Sequence, residues 1–182
     1  MKNNTISYAR ASTNDELHQI LTIQKENIPT NISTEEKKKE GFISVTHDFN
    51  MLKKMNDACA HIIAKNGDIV TGYALVMLKS FRNEIPVLTP MFASADEILG
   101  TKNYVVMGQI CIAKKYRRMG IFKGLYKHYK EELKNEYDCC FTEVASNNLR
   151  SLGAHKSVGF NTMKTQTAGN ISWELMEWDW KN

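Results

Sequence analysis

The four cysteines, Cys59, Cys111, Cys139 and Cys140, include no C-x-x-C pair, and no cluster of histidines accompanies them. The usual zinc spacings are therefore missing, and free thiols without a metal are the expectation. No stretch approaches the roughly 18 consecutive apolar residues of a membrane span. The start, MKNNTISYARAST, has no apolar signal-peptide core. A reducing cytoplasm, away from membrane, is the expected setting. A large excess of one charge sign is also missing. The net charge of +4 is a modest excess, concentrated near Lys114-Lys115-Tyr116-Arg117-Arg118. No basic stripe is interleaved with aromatic residues as in single-strand binders, so nucleic acid is not an expected partner. A small phosphate-bearing ligand suits the charge better. At 182 residues and 42% apolar, the chain is long enough for one core and too short for two ordinary domains, so one domain over residues 1–182 is expected.

What is present centres on residues 103–134. Tyr104 to Ile112 is an apolar run rich in β-branched residues, broken only by Gly108 and Gln109, and reads as a buried strand. After the basic turn the period changes. Ile121, Phe122, Leu125, Tyr129 and Leu133 recur at helical spacing, with Lys123, Lys127, Lys130 and Lys134 taking much of the other side. A strand that passes through a Gly-containing turn into a helix leaves the helix's first N–H groups unpaired at its positive end. That arrangement binds phosphate.

Around this centre, Ile6 to Ala11 reads as a short strand. Thr13-Asn14-Asp15-Glu16 matches a capping box ahead of a helix over about 14–26, stopped by Pro29. Residues 30–41 are polar, and Lys37-Lys38-Lys39 reads as a solvated face. Phe42 to Val45 is a short extended piece. A brief helix follows with Phe49, Leu52 and Met55, capped by Thr46 or Asp48. Ala60 to Lys65 and Ile69 to Leu78 form a hairpin about Asn66-Gly67-Asp68. Residues 80–102, with Pro86 and Pro90, read as a long irregular connection holding one short helix near Ala95 to Leu99. Cys139 to Val144 is a second buried strand, parallel to the central one across the crossover helix. Ser146-Asn147-Asn148 caps a helix over Leu149 to Val158. Phe160 to Thr165 and Ser172 to Trp180 close the chain as a hairpin around residues 167–170.

Two blocks in this order resemble the GNAT superfamily of N-acetyltransferases. Arg117-Arg118-Met119-Gly120-Ile121-Phe122 looks like the family's Arg/Gln-x-x-Gly-x-Gly/Ala signature, with Phe122 departing at its last position. Residues 148–160, NLRSLGAHKSVGF, look like its later motif. The resemblance implies an α/β fold: a mixed, mostly antiparallel sheet flanked by helices, with one parallel strand pair splayed at the cofactor site. It implies acetyl transfer from acetyl-CoA to a primary amine by direct attack in a ternary complex. The alternative is a non-catalytic acyl-CoA-binding or regulatory module on the same fold.

In that scheme backbone N–H groups from Arg118 through Met119, Gly120, Ile121 and Phe122 to Lys123 cradle the diphosphate, and the Arg117 and Arg118 side chains add charge. The main chain of Ile110, Cys111 and Ile112 meets the pantetheine arm and polarises the thioester carbonyl. His155 stands where the family most often has the tyrosine that protonates the leaving thiolate. Its readings are general acid, or a packing or cofactor-contacting residue; Tyr126 and Tyr129 are fallback donors. Glu143 reads as base or substrate anchor, or as a structural hydrogen-bonding group, and Gln109 as a group that orders a water. Asn148 caps its helix or ties the strand end beside the cofactor. Trp173, Trp178 and Trp180 are candidates for core, for an acceptor wall or for a homodimer surface. The acceptor itself is not legible.

Overall fold

The apolar runs become strands in the computed structural model of the chain, which describes residues 5–181. These are β1 (Ile6–Arg10), β2 (Ile62–Asn66), β3 (Ile69–Met77), β4 (Tyr104–Ile112), β5 (Cys139–Ala145), β6 (Asn161–Ala168) and β7 (Ile171–Asp179). They form one sheet in the order β1-β2-β3-β4-β5-β7-β6, antiparallel throughout except between β4 and β5. Among the described residues six α-helices accompany it: α1 (Asn14–Glu26), α2 (Thr34–Glu40), α3 (Phe49–Ala58), α4 (Thr89–Leu99), α5 (Ile121–Leu133) and α6 (Leu149–Lys156).

Strand alternation sorts the core onto two faces. Tyr73, Leu75, Val106 and Phe141 pack with Leu17 and Ile20 of α1, Leu52 of α3 and Met91 and Phe92 of α4. Ala74, Val76, Val105 and Cys140 pack on the other face against Leu125, Tyr126, Tyr129 and Leu133 of α5. Lys123, Lys127 and Lys130 of α5 thereby face away from the core.

Local chemistry sets the boundaries. Thr13 and Glu16 complete the capping box of α1, and Asp48, the second of the two expected caps, accepts the Met51 N–H of α3. Two expectations need correction. The 80–102 connection is more ordered than its prolines suggest: α4 begins at Thr89, because Pro90 sits in its first turn, where the missing N–H has no helical partner to lose. The final hairpin is longer than expected, with β6 reaching Ala168 and the turn confined to Gly169 and Asn170.

One irregularity shapes the centre. β3 pairs Ala74 with Ile110 but Val76 with Met107, so three steps on β4 face two on β3, a bulge around Gly108 and Gln109. β4 pairs with β5 only from Tyr104–Cys139 to Val106–Phe141, although β4 runs on to Ile112 and β5 to Ala145. Beyond that point β5 follows β7 and β4 follows β3, so the parallel pair splays. Thr142 Oγ1 still donates to Met107 O at 2.9 Å, and past it the two strands make no ladder contact.

Candidate active site

The turn after β4 has a backbone set by two left-handed residues. Tyr116 is buried and anchors it, after which Arg118 (φ 65°) and Gly120 (φ 78°) both adopt left-handed conformations. A side chain at position 120 would be strained there but would meet no atom within 4 Å, so the space beside it is open. Gly120 caps α5 without a side-chain hydrogen bond, and the first helical bond runs from Gly124 N–H to Gly120 O at 3.1 Å. The N–H groups of Ile121, Phe122 and Lys123 therefore have no helical acceptor and stand at the positive end of the helix. They border a cleft of about 420 Å³ between α5, α6 and the end of β4.

The expected residues reach this cleft in different ways. Ile110, Cys111, Ile112, Arg117, Arg118, Gly120, Ile121, Phe122, Lys123 and Asn148 all line it, whereas the exposed Met119 does not. Ile110 and Ile112 pack toward the α5 face. The Cys111 side chain turns to the opposite face, where burial pushes its thiol up to about 12. The Phe122 ring lies edge-on to Tyr126 and His155, with centroids at 5.1 and 5.5 Å, and so leaves the cleft open.

The arginine side chains are already engaged. Arg117 donates to the main-chain oxygen of Ile112, to Asn27 Oδ1 and, at 3.4 Å, to Glu36 Oε1. Arg118 Nη2 lies 2.8 Å from Glu40 Oε1, and Lys114 Nζ lies 3.0 Å from Glu36 Oε1. Lys114, and after it Arg117, hold the Glu36 carboxyl below its usual range. Residues 36 and 40 lie one turn apart on α2, a segment that reads as a solvated face in sequence. Only the fold brings them to the basic turn.

A second, smaller cavity of about 80 Å³ opens on the α4 side of the splay. Leu88, Met91, Val45 and Trp173 form apolar walls, and Glu143 is a carboxylate in its lining. Burial pushes Glu143 up to about 7. Phe42, Ile43, Ile110, Asn148 and Ser151 border both cavities. Asn148 accepts the Ser151 N–H through Oδ1, capping α6, and donates through Nδ2 to Phe42 O at 3.1 Å, tying residues 42 and 43 across the gap. Gln109, which borders this cavity, is held at both ends of its amide. Its Oε1 accepts from Tyr73 at 2.6 Å, and its Nε2 donates to Val45 O.

His155 is 2% exposed, and burial lowers its pKa to about 4. Its Nδ1 lies 2.7 Å from the Ser151 carbonyl and must donate to it, so a neutral ring presents a lone pair at Nε2. Nε2 has no partner among the described residues, and the ring packs edge-on to Phe122, Tyr126 and Phe160. The residue also borders the smaller cavity, and with its proton on Nδ1 it offers an acceptor rather than a donor at Nε2. Tyr126 and Tyr129 are fully buried, and neither borders either of these two cavities. Among the described residues no group of three or more His, Cys, Asp or Glu side chains is placed to hold a metal ion, and no helix is long and apolar enough to cross a membrane.

Comparison with known proteins agrees with this geometry. The chain superposes on the ribosomal-protein-S18-alanine N-acetyltransferase from Escherichia coli with TM-score 0.64 and 13% identity, over 96% of this chain and 94% of that one. The Salmonella typhimurium protein yncA, solved with its cofactor acetyl-CoA, gives TM-score 0.65 and 14% identity, over 96% and 94%. A chain of the NatC complex bound to Gag peptide and CoA gives 0.69 and 13%, over 97% and 99%. At such identities the likeness is one of fold. A search of curated proteins found no match. The family model described as "Acetyltransferase (GNAT) family" matches residues 15–160, and the chain belongs to that family.

Proposed function

We propose that this protein is an N-acetyltransferase that moves the acetyl group of acetyl-CoA to a primary amine. One observation carries the reading: a coenzyme-sized cleft and a small carboxylate-bearing cavity meet through the gap between β4 and β5. The first holds a phosphate-binding helix start; the second suits an amine. The residues present fit acetyl-CoA as substrate, since the turn at Gly120 is open and its N–H groups are uncapped.

The main chain of β4 beyond Val106, unpaired toward β5, holds the pantetheine arm, and an N–H from Ile110 to Ile112 polarises the thioester carbonyl. Glu143, ionised near neutrality, takes the proton of the attacking amine directly or through one water. The C–N bond forms, the C–S bond breaks, and the electron pair leaves on the sulfur. His155 supports the wall of α6 without joining the proton transfers. Solved neighbours carrying a peptide or named for an alanine N-acetyltransferase make peptide N-termini a sensible part of the acceptor search.

The test is CoA-thiol release, with product mass, across small amines, polyamines and peptides with free N-termini. Acetyl-CoA-dependent acetylation of an amine is the expected result. Tight coenzyme binding without turnover on any amine would contradict it and favour the non-catalytic module.

A further inference from the structure

Among the described residues that line the cavity beside Glu143 there is no lysine or arginine, and Glu143 is the single carboxylate. Its side-chain amide donors and the Thr142 hydroxyl are spent inside the protein. Gln109 Nε2 donates to Val45 O, Thr142 Oγ1 to Met107 O and Asn148 Nδ2 to Phe42 O. His155, with its proton on Nδ1, adds only a lone pair at Nε2. The cavity therefore receives an amino group well and a carboxylate badly. A carboxylate about 5 Å from an ionised Glu143, with no cation to offset it, is disfavoured by a factor of roughly a few hundred at an effective dielectric near 20.

Beyond this polar end the walls are apolar and close. Leu88 and Met91 are buried and Trp173 is half-buried. The volume of about 80 Å³ is the room of roughly three water-sized groups. Carbon groups fill such room with a gain of about fourfold for each methylene taken out of water, whereas a second charge loses its hydration there. The segment 42–47, whose first four residues line the cavity, has much of its backbone tied inward. Ile43 N–H is bonded to Asn27 O, and the His47 N–H and carbonyl are both held by the Gln24 amide. Phe42 O and Val45 O are taken by Asn148 and Gln109. An extended peptide laid beside this segment finds many of the backbone partners that strand addition uses already occupied.

We infer that the acceptor is a short apolar monoamine: one amino group on a body of about four carbons, with no carboxylate beside the nitrogen and no second cation. The inference rests on the N-acetyltransferase reading above and narrows its acceptor class.

The experiment measures kcat/KM by CoA-thiol release, with product mass, for the linear amines from ethylamine to hexylamine and for three relatives of butylamine. These are norvaline, which adds a carboxylate beside the nitrogen, 1,4-diaminobutane, which adds a second cation, and a tripeptide with N-terminal norvaline. Butylamine should give N-butylacetamide and free CoA thiol. Along the linear series kcat/KM should rise about fourfold per methylene to about butylamine and then level off. Norvaline should fall at least about fiftyfold below butylamine, and the diamine and the tripeptide at least about tenfold below it. As a second readout, Ser44→Arg puts a cation at an exposed position of the lining and should narrow the gap between butylamine and norvaline at least about fivefold. A flat chain-length series, an unchanged gap in S44R, or any of the three relatives used as well as butylamine would overturn this acceptor class while leaving acetyl transfer intact. So would turnover confined to other members of the wider amine panel above. Silence on every amine would overturn the proposed function, and this inference with it.

Discussion

Nδ1 of His155 lies 2.7 Å from the carbonyl oxygen of Ser151, one helical turn earlier, and that contact decides which proton the ring holds. With the N–H on Nδ1 and the pKa near 4, Nε2 is an acceptor at any ordinary pH. His155→Phe should therefore keep kcat within about threefold of wild type, since packing rather than proton donation is what it loses. Removing a true general acid costs roughly a hundredfold or more. Steady-state thiol release on the best acceptor separates the two, and a loss of the larger size would restore His155 as the acid.

Glu143 carries the opposite prediction. Burial raises its pKa to about 7, and a base must be ionised, so kcat/KM should rise with pH through about 7. Glu143→Gln should remove that limb and cost about a hundredfold in kcat. Stability should show the same group with its own sign. A carboxyl whose folded pKa is raised favours the folded state fully below its unfolded value of about 4.5, and that contribution is lost as pH rises through about 7. Denaturation of wild type and E143Q between pH 4.5 and 8 should show the difference narrowing at the acid end. A flat pH–rate profile for the wild type would remove Glu143 from the chemistry.

Glu36 and Glu40 place two carboxylates beside the arginines of the diphosphate turn. The E36Q/E40Q double variant should bind CoA about twofold to fivefold more tightly at low salt, because two like charges near the phosphates disappear. The gain should fade as salt is added. Titration in low and high salt checks it, and weaker binding in the variant would mean that α2 instead holds the arginines in place for the coenzyme.

His61 is a separate acid sensor in the core. Its Nδ1 accepts the Val76 N–H at 3.0 Å and its Nε2 lies 3.1 Å from Leu52 O, so no lone pair is left for a second proton. Burial lowers its pKa to about 4. A histidine depressed in this way stabilises the fold above its unfolded value near 6.5, and the contribution is lost as pH falls toward 4. Between pH 7 and pH 5 His61 alone should account for a loss of about 2 kcal/mol. Urea denaturation of wild type and His61→Gln at the two pH values measures this; an equal pH dependence in both would contradict it.

The fold was largely readable because its signals are local. A continuous apolar, β-branched run located β4 and a 3.6 period located α5, and Thr13 and one of the two cap candidates, Asp48, mark helix starts by side chains that reach only three residues. Pro90 misled because proline breaks a helix in its interior but suits its first turn. The backbone half of the candidate site was equally legible, since Gly120 sits where a strand must turn into a helix. Its electrostatics were not. Glu36 and Glu40 stand about eighty residues from Arg117 and Arg118, and nothing in TEEKKKE announces the pairing. Nor does a histidine in sequence reveal the carbonyl that fixes its tautomer.

The central claim is that the N–H groups opening α5 hold the coenzyme's diphosphate, and isothermal titration of CoA into Gly120→Asp and Gly120→Asn tests it most directly. Both side chains tolerate the left-handed backbone at this position, so the pair differs chiefly by one negative charge. The aspartate variant should bind CoA at least about twentyfold more weakly than the asparagine variant at low salt. Equal affinity in the two would place the diphosphate elsewhere.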